Sequence, residues 1–215
     1  MLRTLTITTA ATDLQLLTIA EMREAAGVSD NSQDTKLTAM GLKIAADIAT
    51  ECNIAVGSGA TPTLRRETLT EVIRGAYADL LCLARRHEIT ITSIVEDGTT
   101  LDAEDYLIDP ESGILHRLSD DVPIGWCADK VTVVYAAGFT TVPSDLNDAA
   151  TEFFRSAWQA KDRDPLVRSQ REDIPGLYEK ETAYWVGSIP GQSNEGAVPD
   201  TIDGKLKRFR NTGVA

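Results

Sequence analysis

The sequence predicts an α+β protein, a small helical bundle with an inserted antiparallel β-sheet or hairpin region and an extended C-terminal arm. Three observations carry that expectation. Apolar residues recur at helical spacing on both sides of the middle of the chain, over about 18–52 and again over about 144–161. Between them, from about 64 to 137, short runs rich in Val, Ile and Thr alternate and are separated by tight turns. Beyond about 165 the pattern gives way to Gly, Ser, Pro and charge. The expected boundaries are residues 1–165 for the bundle with its β insertion (about 64–137), and 166–215 for the arm, which ends in a short amphipathic helix.

Each element has a local reason. Thr18-Ile19-Ala20-Glu21 is a capping box that opens a helix, and Gly27 suits its end. Leu37, Met40, Ile44, Ala45 and Ile48 form the stripe of a second helix running to roughly Cys52, before the loop Gly57 to Pro62. Arg66–Arg74 and Leu80–Leu83 read as strands. Ile89–Val95 alternates and meets the hairpin signal Glu96-Asp97-Gly98. Asp105–Ile108, the turn Asp109–Gly113, Ile114–Leu118 and Lys130–Tyr135 complete a set of short strands, which tight turns make antiparallel. Helix resumes after Pro143, with Ser144 as expected N-cap and a stripe of Leu146, Ala149, Ala150, Phe153, Ala157 and Trp158. Gly187–Pro199 reads as extended. Asp200 then caps a closing helix with Ile202, Leu206 and Phe209 on one side and Lys205, Lys207, Arg208 and Arg210 around it.

The chain has 215 residues, 42% hydrophobic, which is enough for a core without metal or disulfide staples. Its formal charge of -12 argues against tight wrapping of nucleic acid, which is driven by Lys and Arg releasing counterions. Cys52, Cys82 and Cys127 form no CxxC or Cys/His cluster and read as small buried hydrophobes in a reduced compartment. No apolar run is long enough to span a bilayer, and the first residues do not read as a signal peptide.

Chemistry-bearing residues are present, but not in catalytic patterns. Asp97, Asp102, Glu104, Asp105, Asp109 and Glu111 lie close in sequence, yet their spacing fits no calcium loop, and acidic residues at hairpin ends are turn formers. His87 and His116 accompany no nucleophile motif. Gly57-Ser58-Gly59 lacks the Lys of a phosphate loop. No catalytic, cofactor-binding or metal residue is therefore assigned. Trp158 belongs to an apolar helix face, whereas Tyr184 and Trp185, near the arm, are candidates for a protein interface.

The order of these features resembles a known family. Asp97-Gly98 is followed by Tyr106-Leu107-Ile108-Asp109, Gly113-Ile114-Leu115, Val131–Phe139 and Val142-Pro143-Ser144-Asp145-Leu146; Asp173–Gly176 and the basic end Leu206–Arg210 come later. From about Thr18 to Arg210 the chain resembles the head–tail connector (adaptor) family of long-tailed bacteriophages and gene transfer agents. The family often has a proline entering the central strand, where this chain has His87-Glu88.

The resemblance implies a structural, non-enzymatic subunit of the virion, made in a bacterial host cytoplasm, with no cofactor. Copies of it would form a ring, typically dodecameric, under the portal protein. The ring would extend the DNA channel without binding DNA specifically and would meet a tail-side stopper or connector. It also implies a portal-binding end, here Ile202, Lys205, Leu206, Arg208, Phe209 and Arg210. An arm of this kind is expected to fold on docking, with Leu206 and Phe209 filling pockets, so truncation after Gly187 should leave a folded protein that fails to join the portal. Acidic side chains are expected to dominate the channel face. Two rival readings are a small hydrolase using the acidic hairpin, which needs two facing carboxylates, and another virion joining protein such as a stopper.

Overall fold

Two helices at the start of the chain form where local chemistry places them. Thr18 caps α1 (Ile19–Ala26): its hydroxyl accepts from the Glu21 N–H, and the Glu21 carboxylate accepts from the Thr18 N–H. Gly27 ends α1 in the left-handed region, with its N–H on Glu24 O and the Val28 N–H on Arg23 O. After a polar turn comes α2 (Asp34–Glu51), tied back to α1 by an ion pair between Arg23 and Asp34. The computed structural model describes residues 1–57, 60–161, 169–174, 178–183 and 198–211.

The central region is antiparallel, as its turns require. One sheet runs β1 (Leu2–Thr9), β2 (Glu67–Ala78), β9 (Trp126–Ala137), β4 (Thr90–Glu96), β5 (Thr99–Thr100). The other runs β3 (Leu81–Cys82), β7 (Ile114–Ser119), β6 (Tyr106–Ile108), with β8 (Val122–Ile124) also paired to β7. In β2 and β9 alternate residues are buried, so Leu69 and Ile73 face inward with Val131, Val133 and Tyr135. They form a sheet core with Ile94, Leu81, Leu115 and Trp126.

Several expectations needed correction. β1 was not visible as a strand, because an edge strand is defined by its partner, here β2 over Leu2↔Arg74 to Thr9↔Thr68. The strand read as Arg66–Arg74 continues to Ala78, and the strand read from Lys130 starts at Trp126, because their outer ends pair with each other. Ser144 is the first residue of α3 (Ser144–Ala160) and Pro143 stands at the cap, with no side-chain cap bond. Phe154 is fully buried on α3, whereas Phe153 is only partly buried. Cys127 is exposed and Cys82 half-exposed; of the three cysteines only Cys52 is buried, and burial pushes its thiol up to about 12.

Where β9 gives way to α3, Gly138 has φ 98°, and a Cβ there would lie 2.6 Å from Arg65 O. Backbone cannot yield as a flexible side chain can. Gly138→Ala is therefore expected to destabilise the fold by at least about 2 kcal/mol in urea unfolding.

α1, α2 and α3 share a second core, with Met22, Leu37, Ile44, Ile48, Leu146, Ala150, Phe154 and Trp158. The stretch expected to be an extended arm contains a hairpin, β10 (Ser169–Ile174) paired with β11 (Tyr178–Ala183). The closing helix is α4 (Asp200–Leu206), with Pro199, not Asp200, at its cap. No helix among the described residues is long and apolar enough to cross a membrane.

Candidate functional site

The basic end of the chain has a seat in the chain's own core. α4 continues as a 3-10 turn over Lys207–Phe209, and the described segment ends at Asn211. Ile202, Leu206 and Phe209 recur at i, i+4 and i+7, so they share one face. That face is sealed: their exposures are 1%, 0% and 0%. With Val198 they belong to the helical core beside α2 and α3. The groups expected to fill pockets on a partner thus fill pockets at home. The basic residues stay at the surface, with Lys205, Lys207 and Arg208 exposed.

Main-chain atoms fasten the segment. The Asn211 N–H donates to Cys52 O (2.8 Å) at the end of α2, and Asn211 Nδ2 donates to Ala84 O (2.6 Å). Arg86 donates through Nη1 to Arg210 O (3.0 Å) and through Nη2 to Arg208 O (3.2 Å). His87 Nε2 donates to Phe209 O (3.2 Å), and its ring stacks on Phe139 with centroids 5.1 Å apart. Phe209 meets both rings edge-on, at 5.8 Å from Phe139 and 5.9 Å from His87. The loop Ala84–His87 therefore acts as a clasp. It holds the C-terminal segment from the sheet side while α2 and α3 hold it from the helical side.

Charge complements this packing. Lys205 pairs with Glu152, Arg208 with Asp145 (3.0 Å), and Arg210 with Glu51 (2.6 Å) and Asp203. The seat is acidic and the segment basic. Such half-exposed pairs orient more than they stabilise, because water screens them.

The clasp is conformationally unusual. His87 and Glu88 have φ of 74° and 47°, a left-handed stretch of two non-glycine residues held by the Gly138 N–H on His87 O (2.9 Å). Positive φ excludes proline at either position, which accounts physically for His87-Glu88 at the entry to β4. Burial holds the His87 pKa below its usual 6.5, against the Phe209 carbonyl and Glu111, which raise it, while Arg86 lowers it. The folded state thus prefers neutral His87. Its contribution is complete above about pH 6.5 and is lost as pH falls from there through the folded-state value. The urea midpoint should therefore drop between pH 7.5 and 5.5, and drop less in His87→Gln. An equal drop in both would remove His87 as the cause.

Beneath the clasp lies a buried polar network. β2 points Glu67 and Glu71 inward, on the same face as Leu69 and Ile73. Arg85 forms an ion pair with Glu67 and donates through Nη1 to Ala55 O (2.9 Å). Glu71 lies 2.9 Å from Arg3 Nε and accepts from the Tyr135 hydroxyl (2.9 Å) and the Ala84 N–H (2.9 Å). Burial raises the Glu71 pKa against these three partners, and it pushes Tyr135 well above the usual phenol range. A chemist might take this for an acid–base site. It has the form of a strut: Glu67, Glu71, Arg85 and Tyr135 each bond another part of the chain, with Arg3 Nη1 and Glu71 Oε1 buried without a hydrogen-bond partner, and the network ties the start of the clasp to the sheet.

The acidic residues of the hairpins act locally. Asp97 accepts from the N–H groups of Asp129 (3.2 Å) and Lys130 (2.8 Å), Asp102 and Asp105 form a reciprocal cap, and Asp109 accepts from Ser112 and Glu111. Among the described residues no group of His, Cys, Asp and Glu could hold a metal ion. Trp126 is buried and donates to Leu115 O (3.2 Å), and Trp158 lies parallel to Phe154. Tyr184 and Trp185, expected at an interface, lie outside the described residues.

Reading the sequence missed the clasp and the strut. The strut left a trace, since Glu67 and Glu71 occupy inward positions of an alternating strand where apolar residues belong. The clasp left none, because its bonds fall on carbonyls of residues more than a hundred positions away.

No family model matches the chain, and no curated protein does. Among solved structures, a chain in the neck of an empty GTA (gene transfer agent) particle, computed with C6 symmetry, is similar in fold, with a TM-score of 0.55 and 17% identity. The similarity covers 98% of this chain and 97% of that one, so the whole α+β arrangement is shared from end to end.

Proposed function

We propose that this protein is a structural subunit of the neck of a phage-like particle, an adaptor that joins the portal to the tail. The observation that carries this reading is the end-to-end likeness to a chain of a particle neck, covering nearly all of both molecules. In this reading copies of the chain form a ring, expected to be dodecameric, beneath the portal. The ring continues the DNA channel and offers a face to a tail-side stopper or connector. A charge of -12 per copy suits a conduit that DNA must leave without adhering.

Portal docking falls to the closing segment in a form adjusted to its seat. Ile202, Leu206, Phe209 and Arg210 hold its shape, and the exposed Lys205, Lys207 and Arg208 face the partner. Light scattering on a sizing column tests the reading. The chain mixed with its portal ring should elute as one stoichiometric complex, whereas a monomer that ignores the portal across salt conditions overturns it. Reversing the exposed Lys207 to Glu should weaken that complex by about tenfold while leaving the unfolding midpoint nearly unchanged, because rim charges govern encounter more than folding.

A further inference from the structure

We infer that the seat for the closing segment is also a subunit-joining surface: in the ring, the segment of one copy occupies the seat of the next. This rests on the neck reading and deepens it, naming a second copy of the chain as the seat's partner.

Three observations point there. The first is charge. Each copy carries -12, so neighbouring copies repel, and the chain's densest basic cluster is Lys205–Arg210. The groups that receive it are Glu152, Asp145 and Glu51, so an acidic seat meets a basic plug. Kept at home, that complementarity does nothing for assembly. Delivered to a neighbour, it supplies attraction between copies that otherwise push apart.

The second is how the segment is held. Apart from Asp203, the groups that fasten it come from α2 and the Cys52-Asn53 turn after it, from α3, from Phe139 and from the 84–87 clasp, and much of the recognition falls on the main-chain carbonyls of Arg208, Phe209 and Arg210. An identical segment from another copy presents identical groups, so exchange loses no contact. The clasp that holds its occupant contains two consecutive non-glycine residues at positive φ, fixed by the Gly138 N–H on His87 O.

The third is reach. Between Ala160 and Asp200 lie 39 residues, of which the β10–β11 hairpin takes Ser169–Ala183. With the hairpin folded, the remaining 24 residues can span about 80 Å at full extension. A body of this length has a radius of gyration of about 17 Å, so an adjacent seat lies within that span. In a closed ring every copy gives one segment and receives one, a head-to-tail contact that leaves no seat empty. The outward basic residues face the portal equally well from either seat.

The Lys205–Glu152 ion pair makes a direct test possible without a variant, because a carbodiimide joins an amine to a carboxylate only where the two already touch. Equal amounts of chain grown in light and in heavy nitrogen are mixed, assembled on the portal ring, cross-linked and digested. In the exchanged ring about half of the peptides joining Lys205 to Glu152 should pair one light with one heavy partner, as random neighbours require. The free subunit, cross-linked at low concentration, should give like-labelled pairs alone. A ring that forms with the expected mass but yields only like-labelled pairs overturns the exchange and leaves the neck reading standing. Absence of any ring on the portal overturns both.

Discussion

Phe209→Ala is expected to lower the stability of the free subunit by about 3–5 kcal/mol, the range for a buried phenylalanine truncated in a core that cannot collapse. For a chain of this size that corresponds to a thermal midpoint lower by roughly 10 °C. The ring is fully buried against Phe139 and His87, and its carbonyl is gripped by the clasp, so the hole has rigid walls on both sides. Phe209→Leu should retain more than half of the stability difference. Arg208→Ala, one residue away and exposed, should change little. Urea unfolding reads all three, and a Phe209→Ala loss under about 1 kcal/mol would mean that the segment is not seated in solution. The same geometry revises the expectation for truncation after Gly187. Such a chain loses Val198, Ile202, Leu206 and Phe209 from its core, so it should be markedly destabilised as well as unable to join the portal.

Arg85→Met should be comparably severe, at about 3–5 kcal/mol, for an electrostatic reason. Arg85 and Glu67 have side chains only 3% exposed and face each other inside the protein. Removing the cation leaves a carboxylate in low dielectric whose other bond is a long one, 3.3 Å from the Ala11 N–H. The double change Arg85→Met with Glu67→Leu removes both charges and should recover most of the loss, since an apolar pair can replace a buried ion pair at little cost. A double-mutant cycle gives the answer: coupling of several kcal/mol supports the strut, and additive losses would show that the two residues act separately. The Ala55 carbonyl, also bound to Arg85, connects this pair to the loop after α2, so α2's grip on Asn211 should loosen as well.

Much of the architecture was legible in local chemistry. The Thr18 to Glu21 box, Gly27 after α1, the stripe of α3 and the alternation of β9 each depend on neighbours within a few residues, and the structure contains all four. The amphipathic character of Ile202, Leu206 and Phe209 was equally plain from their spacing. What covers that apolar face was not. Spacing shows that a face must be buried and is silent on the partner, so an arm free to dock elsewhere and a segment folded into its own core read alike. The answer came from α2, α3 and the Ala84–His87 clasp, groups distant in sequence that only the assembled chain brings together.

The same division explains β1 and the strut. Leu2–Thr9 becomes a strand because β2 offers it an edge some sixty residues away, and the two glutamates of β2 are tolerable because Arg3 and Arg85 arrive from either side. The sequence by itself determined the helices, the turns, the strand periodicity and the basic, one-sided character of the closing segment, since these follow from the conformational preferences and spacing of adjacent residues. Only the tertiary structure decided which surfaces those elements bury. That choice depends on complementary shape and charge across long stretches of chain, which no local pattern records.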